Sequence, residues 1–250
     1  MSKVCVINIS GNVGKSTLAA HMIAPRLGAA PIVSVESLNS DAGEDGVAVE
    51  RVRGTRFVQL VDDIMERDRV VVDVGASNAE AFLKGMTQLD GAHEEFDYFV
   101  VPAVKSVKQL RDTANTVNAL AALGVDGQRI RILFNRVDDV EDIPMDFALL
   151  LLKSQEEQNC IANPSAAVLD NEVYGRLKGA GASLAQIAAD TTDWRARVTA
   201  AKTPAERSHA TSMLALKRLS GSATRNLDQA FAALFACQRS LLFPVRFRFP

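Results

Sequence analysis

The stretch that decides the reading of this chain is Val4-Cys5-Val6-Ile7-Asn8-Ile9-Ser10-Gly11-Asn12-Val13-Gly14-Lys15-Ser16-Thr17. The apolar run Val4–Ile7 reads as a buried strand and Thr17–Ile23 as helix-forming, so the residues between them make a loop on the strand-to-helix connection. Small residues there let backbone N–H groups turn inward around an anion. Gly14, Lys15 and Ser16 stand where a phosphate loop needs them: the lysine reaches the β and γ oxygens of a nucleoside triphosphate and the serine hydroxyl ligates Mg2+. Gly11, Asn12, Val13, Gly14, Lys15, Ser16 and Thr17 are therefore the candidate phosphate-binding residues. The glycine expected five positions before Gly14 is replaced by Ile9, so the strict GxxxxGK[ST] pattern fails at its first position.

Working outward, unbroken apolar, β-branched runs recur at Val4–Ile9, Ile32–Val35, Val70–Val74, Tyr98–Val101 and Ile130–Phe134, the pattern of strands covered on both faces. Helical stripes lie between them. Phe57, Leu60, Val61 and Ile64 form one, Phe82, Met86 and Leu89 another, and Val107, Leu110, Ala114, Val117 and Ala121 a third that Gly124 would end. This alternation predicts an α/β fold, a doubly wound, mostly parallel sheet with right-handed crossovers. Order in the sequence changes near residue 190. Beyond it, Thr203-Pro204-Ala205-Glu206 is a capping box with proline at the first helical position, opening a helix over Thr203–Leu219; a second helix is predicted at Ala223–Ser240, with the stripe Leu227, Ala230, Phe231, Leu234 and Phe235. The expected division is a nucleotide-binding domain over 1–190 and a basic helical extension over 191–250 packed on it.

The 250 residues suffice for one α/β domain and a smaller appendage, and 48% hydrophobic with 23% charged residues is a globular composition rather than a disordered or fibrous one. No run of eighteen apolar residues exists and the start lacks an export signal, so the expectation is a cytoplasmic protein with no transmembrane segment. Cys5, Cys160 and Cys237 are far apart and form no CxxC pair; they read as small buried hydrophobes. The net charge of −2 hides an asymmetry: residues 194–250 carry ten basic and two acidic residues, so that segment is +8 and the remainder −10.

Asp73 ends the strand Val70-Val71-Val72 and precedes Val74-Gly75. Ligands of open α/β sheets bind at that strand edge, so Asp73 is the candidate magnesium ligand beside Ser16, with the Gly75 N–H near the γ-phosphate. The loop resembles the deviant Walker A class, GKGGxGK[ST], of the ParA/MinD-like ATPases, which implies P-loop NTPase topology and ATP as the nucleotide. Aligned on Gly14-Lys15, the extra lysine of that class, which reaches the partner subunit's phosphates across a dimer, falls on Ser10 and is absent. The resemblance also assigns Glu36 to the place of the residue that orients the attacking water, making Lys15, Glu36 and Asp73 the catalytic candidates; a solvated carboxylate of the acidic loop with Asp41, Glu44 and Asp45 is the competing reading of Glu36. Asn135-Arg136 matches the pair that reads the adenine edge, and a strand-end amide capping a turn is its alternative. Pro102 and Ala167-Val168-Leu169-Asp170 fall where the family has other purine-side loops and are too generic to assign.

With Ser34-Val-Glu-Ser-Leu-Asn39, Asp73-Val-Gly-Ala-Ser77 and Phe96-Asp-Tyr-Phe-Val-Val-Pro102, the phosphate loop resembles the plasmid-stability StbB proteins over residues 1 to about 235. That resemblance implies a role in plasmid positioning and conjugative transfer, a plasmid DNA-binding partner of the StbA type, and an ATP-dependent homodimer with slow or partner-stimulated hydrolysis. Two other readings stand beside it. One is a nucleotide-binding scaffold without turnover, which Ser10 favours; the other is a carboxylating ligase of the dethiobiotin-synthetase type, for which no second set of polar pocket residues is evident. The basic C-terminal segment reads as a solvated helical face, or as a surface for non-specific DNA or an acidic partner.

Overall fold

The computed structural model describes residues 3–36, 49–52 and 57–236. Seven strands form one sheet in which every pairing is parallel: β1 (Lys3–Val6), β2 (Ile32–Val35), β3 (Val49–Val52), β4 (Val70–Val74), β5 (Tyr98–Ala103), β6 (Ile130–Val137) and β7 (Ala167–Leu169), in the order β3-β2-β4-β1-β5-β6-β7. The expected doubly wound sheet of P-loop NTPase topology is therefore the fold. Two strands escaped the sequence reading. β3 and β7 are short, and Glu50 and Arg51 break the apolar run of β3; their sheet positions come from pairing with β2 and β6.

Strand alternation sends residues to two apolar layers. On one face Cys5, Val33, Val70, Val72, Val74, Phe99 and Ile132 pack with α3 (Phe57–Met65), α4 (Ala76–Gln88), α5 (Val107–Ala122), α6 (Ile143–Asp146) and α7 (Ala148–Glu157). On the other, Val4, Val6, Val71, Val100 and Leu133 pack with the helix that follows the first loop and with the C-terminal helices. That helix is composite: α1 (Lys15–Leu18), a π-helical turn at Ala19–Ile23, and α2 (Ala24–Arg26). The remaining helices are α8 (Val173–Ala180), α9 (Leu184–Ala189), α10 (Trp194–Ala200) and α11 (Pro204–Leu234).

Two helical expectations change. The predicted pair beyond residue 200 is a single helix of 31 residues, about 46 Å long at 1.5 Å per residue. Its buried positions Leu216, Ser220, Ala223, Leu227, Ala230 and Leu234 alternate steps of four and three, so one stripe runs unbroken through Ser220-Gly221. In α5 the buried stripe is Leu110, Thr113, Thr116, Val117 and Leu120, while Val107 is 67% exposed. The helix is rotated from its apolar pattern because two threonines, not Val107 and Ala121, face inward.

Cys5 and Cys160 are buried free thiols, as expected; Cys237 lies outside the described residues, as do the acidic loop residues Asp41, Glu44 and Asp45. Among the described residues no helix is long and apolar enough to cross a membrane.

Candidate functional site

The sheet order reverses at β1: β4, β2 and β3 lie on one side, β5, β6 and β7 on the other. The loop leaving β1 therefore opens at the crevice where open α/β sheets bind ligands. Its conformation follows from its small residues. Asn12 (φ 59°) and Gly14 (φ 87°) take the left-handed region, a backbone conformation from which anion nests are built. A Cβ on Gly14 would stand 2.4 Å from the Asn135 amide nitrogen, so only glycine fits.

Lys15 opens α1 with its side chain buried rather than extended into solvent: its ammonium donates to Ser10 O (2.8 Å) and Asn8 O (3.1 Å). Burial lowers its pKa and the nearby Asp73 charge works in the opposite direction. Val13 is buried, Gly11, Asn12 and Ser16 are exposed, and Thr17 is half-buried one residue further into α1.

Asp73 is paired in register with Val6 of β1 and Ser34 of β2, and by alternation it faces the same layer as Val71, the side on which α1 lies. It is 3% exposed. The Ser16 hydroxyl stands close enough to its carboxylate to favour the ionised form, and Oδ1 has no hydrogen-bond partner. Burial pushes the carboxyl up to about 6, against the opposing pull of the Ser16 hydrogen bond and Lys15; the Glu36 charge adds to the rise. A buried carboxylate with a free oxygen, beside a serine hydroxyl, is a hard-oxygen donor pair of the type Mg2+ takes alongside phosphate and water. Ser16 and Asp73 therefore fit the ion.

Glu36 follows β2 at the same edge and lies against Gly75, where a Cβ would meet its Cγ at 3.4 Å and Val35 O at 3.2 Å. The structure thus gathers Lys15, Ser16, Glu36, Asp73 and Gly75 at one place. The Gly75 N–H, however, donates to Val35 O at 3.0 Å, so the donor assigned to the γ-phosphate is held by the sheet.

Asn135, on the α1-facing side of β6, donates from Nδ2 to Val13 O at 2.8 Å. It supports the loop after β1 directly, with one of the two N–H groups of its amide. Arg136 sits at a register shift between β6 and β7 with φ 54° and is exposed, a bulge within β6, which stays paired beyond it through Val137 and Leu169.

Sequence reasoning missed one group at this site. Asn8, with no exposed surface, and Gln109, Thr113 and Thr116 of α5 hold the start of the loop. The available signal was threonine at two inward positions of an otherwise apolar helical pattern. A cavity of about 880 Å³ elsewhere, with Ala24, Leu184 and Asp228 in its wall, includes none of the phosphate-loop residues. Among the described residues no group of three or more His, Cys, Asp and Glu side chains is placed to hold a metal by itself, so any Mg2+ site relies on serine and on the ligand.

No family model matches the chain. No curated protein matches it. Among solved structures it is similar to the MinD cell division protein of Aquifex aeolicus, at 13% identity over 86% of this chain and 97% of that one, with a TM-score of 0.47. It is also similar to Cyanothece McdA in complex with ATP (15% identity, 88% and 96% covered, TM-score 0.45) and to a Borrelia burgdorferi B31 protein described as a plasmid partition protein, bound to AMPPNP (10%, 86% and 98%, 0.45).

Proposed function

We propose that this chain binds ATP with Mg2+ at the β1 loop and acts as a nucleotide-dependent switch of the ParA/MinD type, in plasmid stability and positioning and in conjugative transfer. The observation that carries the nucleotide reading is the Ser16–Asp73 pair at the mouth of the loop, with one buried Asp73 oxygen unpartnered. The plasmid role rests on the four StbB-like motifs of the sequence.

In this reading Ser16 and Asp73 hold Mg2+, which when bound offsets the charge of the phosphate oxygens. Gly11 to Thr17 supply the N–H groups that surround the phosphates, and Lys15 exchanges its two carbonyl partners for phosphate oxygens. Glu36, at the edge of the same site, orients the attacking water. Asn135 and Arg136 border the base side. Ser10 brings no cation to a facing subunit, so hydrolysis is slow, and an ATP-dependent homodimer recruits a plasmid DNA-binding protein of the StbA type. Direct non-specific DNA contact falls to the exposed Arg207, Arg218 and Arg225 of α11, whose separations of eleven and seven residues set them within about 20° of one another around the helix. A scaffold that holds nucleotide without turnover is the second reading, favoured by Ser10, which is 5% exposed and bonded to Asn8 and Lys15.

Calorimetry with ATP and Mg2+ on wild type and Lys15→Ala tests the nucleotide reading: affinity should be lost in the variant, and equal affinity overturns it. Phosphate release with and without DNA, together with solution mass with and without ATP, separates switch from scaffold.

A further inference from the structure

The start of the phosphate loop is fastened from the α5 side. Asn8 donates from Nδ2 to Pro102 O and to Thr113 Oγ1, both at 2.8 Å, and its Oδ1 accepts from Ser10 N–H at 2.8 Å. The Thr116 hydroxyl donates to Asp112 O (2.8 Å), accepts from Ile9 N–H (3.2 Å) and lies 3.4 Å from Asn8 Oδ1. Gln109 donates to Gly11 O at 2.8 Å. Residues 109, 113 and 116 are one stripe of α5, so a single helix face holds Ile9 and Gly11 directly and Ser10 through Asn8. Asn8, Thr113 and Thr116 have no more than trace exposure, and each hydrogen-bonding atom of the Asn8 side chain is used.

What this network fixes is the resting place of Lys15. The ammonium sits on Asn8 O and Ser10 O, the first belonging to the hub residue and the second to the residue whose N–H the hub holds. We infer that Asn8 and its α5 partners Thr113 and Thr116 are positioning residues of the nucleotide site: they set the two carbonyls that hold the Lys15 ammonium and so preorganise the loop for phosphate. The inference rests on the nucleotide reading given above. None of the three side chains touches the nucleotide; each acts through the loop backbone and Lys15. Such a network also stabilises the fold, so the decisive quantity is the affinity of folded protein, not its melting temperature.

The probes are Mg·ATP and inorganic tripolyphosphate, the second reading the phosphate loop without any base contact. Thr113→Val keeps the side-chain volume and leaves one buried Asn8 N–H without an acceptor; Thr113→Ser restores the hydroxyl. Thr113→Val should weaken both probes by about tenfold, the size expected from one orphaned buried donor in the loop support, and Thr113→Ser should bind within about twofold of wild type, as one restored hydrogen bond predicts. Asn8→Ala should weaken both further, and where it fails to fold the threonine pair still decides. Circular dichroism fixes the temperature at which every variant is folded. Unchanged affinity for both probes in folded Thr113→Val overturns the inference, as does a loss confined to ATP, which would place the effect on the base side. Wild-type protein that binds neither probe overturns the nucleotide reading itself, and this inference with it.

Discussion

Burial of Asp73 with its own Oδ1 unpartnered makes its ionisation costly, and the sign of that cost gives a pH test. Its folded value of about 6 stands above the ordinary value of 3.8. The folded state therefore holds the proton more tightly: this contribution is full below about pH 4 and is lost as the pH rises to about 6, a difference of about 3 kcal/mol. Denaturant unfolding without metal should show wild type losing stability over that window relative to Asp73→Asn, which has no carboxyl to ionise; parallel profiles would mean that Asp73 titrates normally. Magnesium-dependent ATP affinity should fall as the pH drops below about 6, because Mg2+ needs the ionised form. Asn135 supplies a second test. One N–H of its amide holds Val13 O, so Asn135→Ala should weaken ATP and GTP alike, by up to about tenfold for one lost loop hydrogen bond. A change in the ratio of the two affinities would instead assign it to the adenine edge. That Lys15, Ser16 and Asp73 lie together was legible in the sequence, because the loop follows one parallel strand and Asp73 ends another at the same edge. Asn8 was not, since an asparagine after a strand has no signature until its partners 94 to 108 positions away are known.

At the scale of elements, the long helix shows how packing overrides local punctuation. Thr203 and Glu206 form the predicted capping box, with the Thr203 hydroxyl accepting from Glu206 N–H at 3.2 Å and the Glu206 carboxylate accepting from Thr203 N–H at 3.3 Å. Ser220-Gly221-Ser222 then reads as a breaker, but the buried stripe continues through Ser220 and Ala223 to Leu227. Leu227 has no exposed surface and shares its apolar layer with Val6, Leu18 and Leu133. The end of the helix is fastened too: Asn163 donates to Ala233 O at 3.0 Å, and the buried Arg131 of β6 reaches Ala236 O at 3.5 Å while lying over the Tyr98 ring. Leu227→Ala should cost about 2–5 kcal/mol, and helix and sheet should unfold in a single denaturant transition followed by fluorescence of Trp194 and by circular dichroism. Two separated transitions would show that the C-terminal helices fold on their own.

For the whole molecule, charge is the property that sequence position and fold share. The excess of +8 over residues 194–250 against −10 elsewhere becomes, on α11, the exposed stripe of Arg207, Arg218 and Arg225. If that stripe contacts DNA phosphates, Arg218→Gln with Arg225→Gln should weaken binding to any duplex and reduce the slope of log affinity against log salt by about two. Titration of a fluorescent duplex at several salt concentrations measures it, and an unchanged slope places the contact elsewhere.

The sequence by itself determined the parallel α/β fold and singled out the β1 loop as the candidate site, because strand runs and loop glycines are local features. It also determined the start of the long helix, since a capping box needs only four residues. Only the tertiary structure decided that β3 and β7 extend the sheet, that α5 turns its threonines inward, that the C-terminal helix is continuous, and that Lys15 rests on two carbonyls set by Asn8. Each of those depends on groups far apart in the chain, whose burial and hydrogen bonding compete with local preference and are resolved only when the layers close.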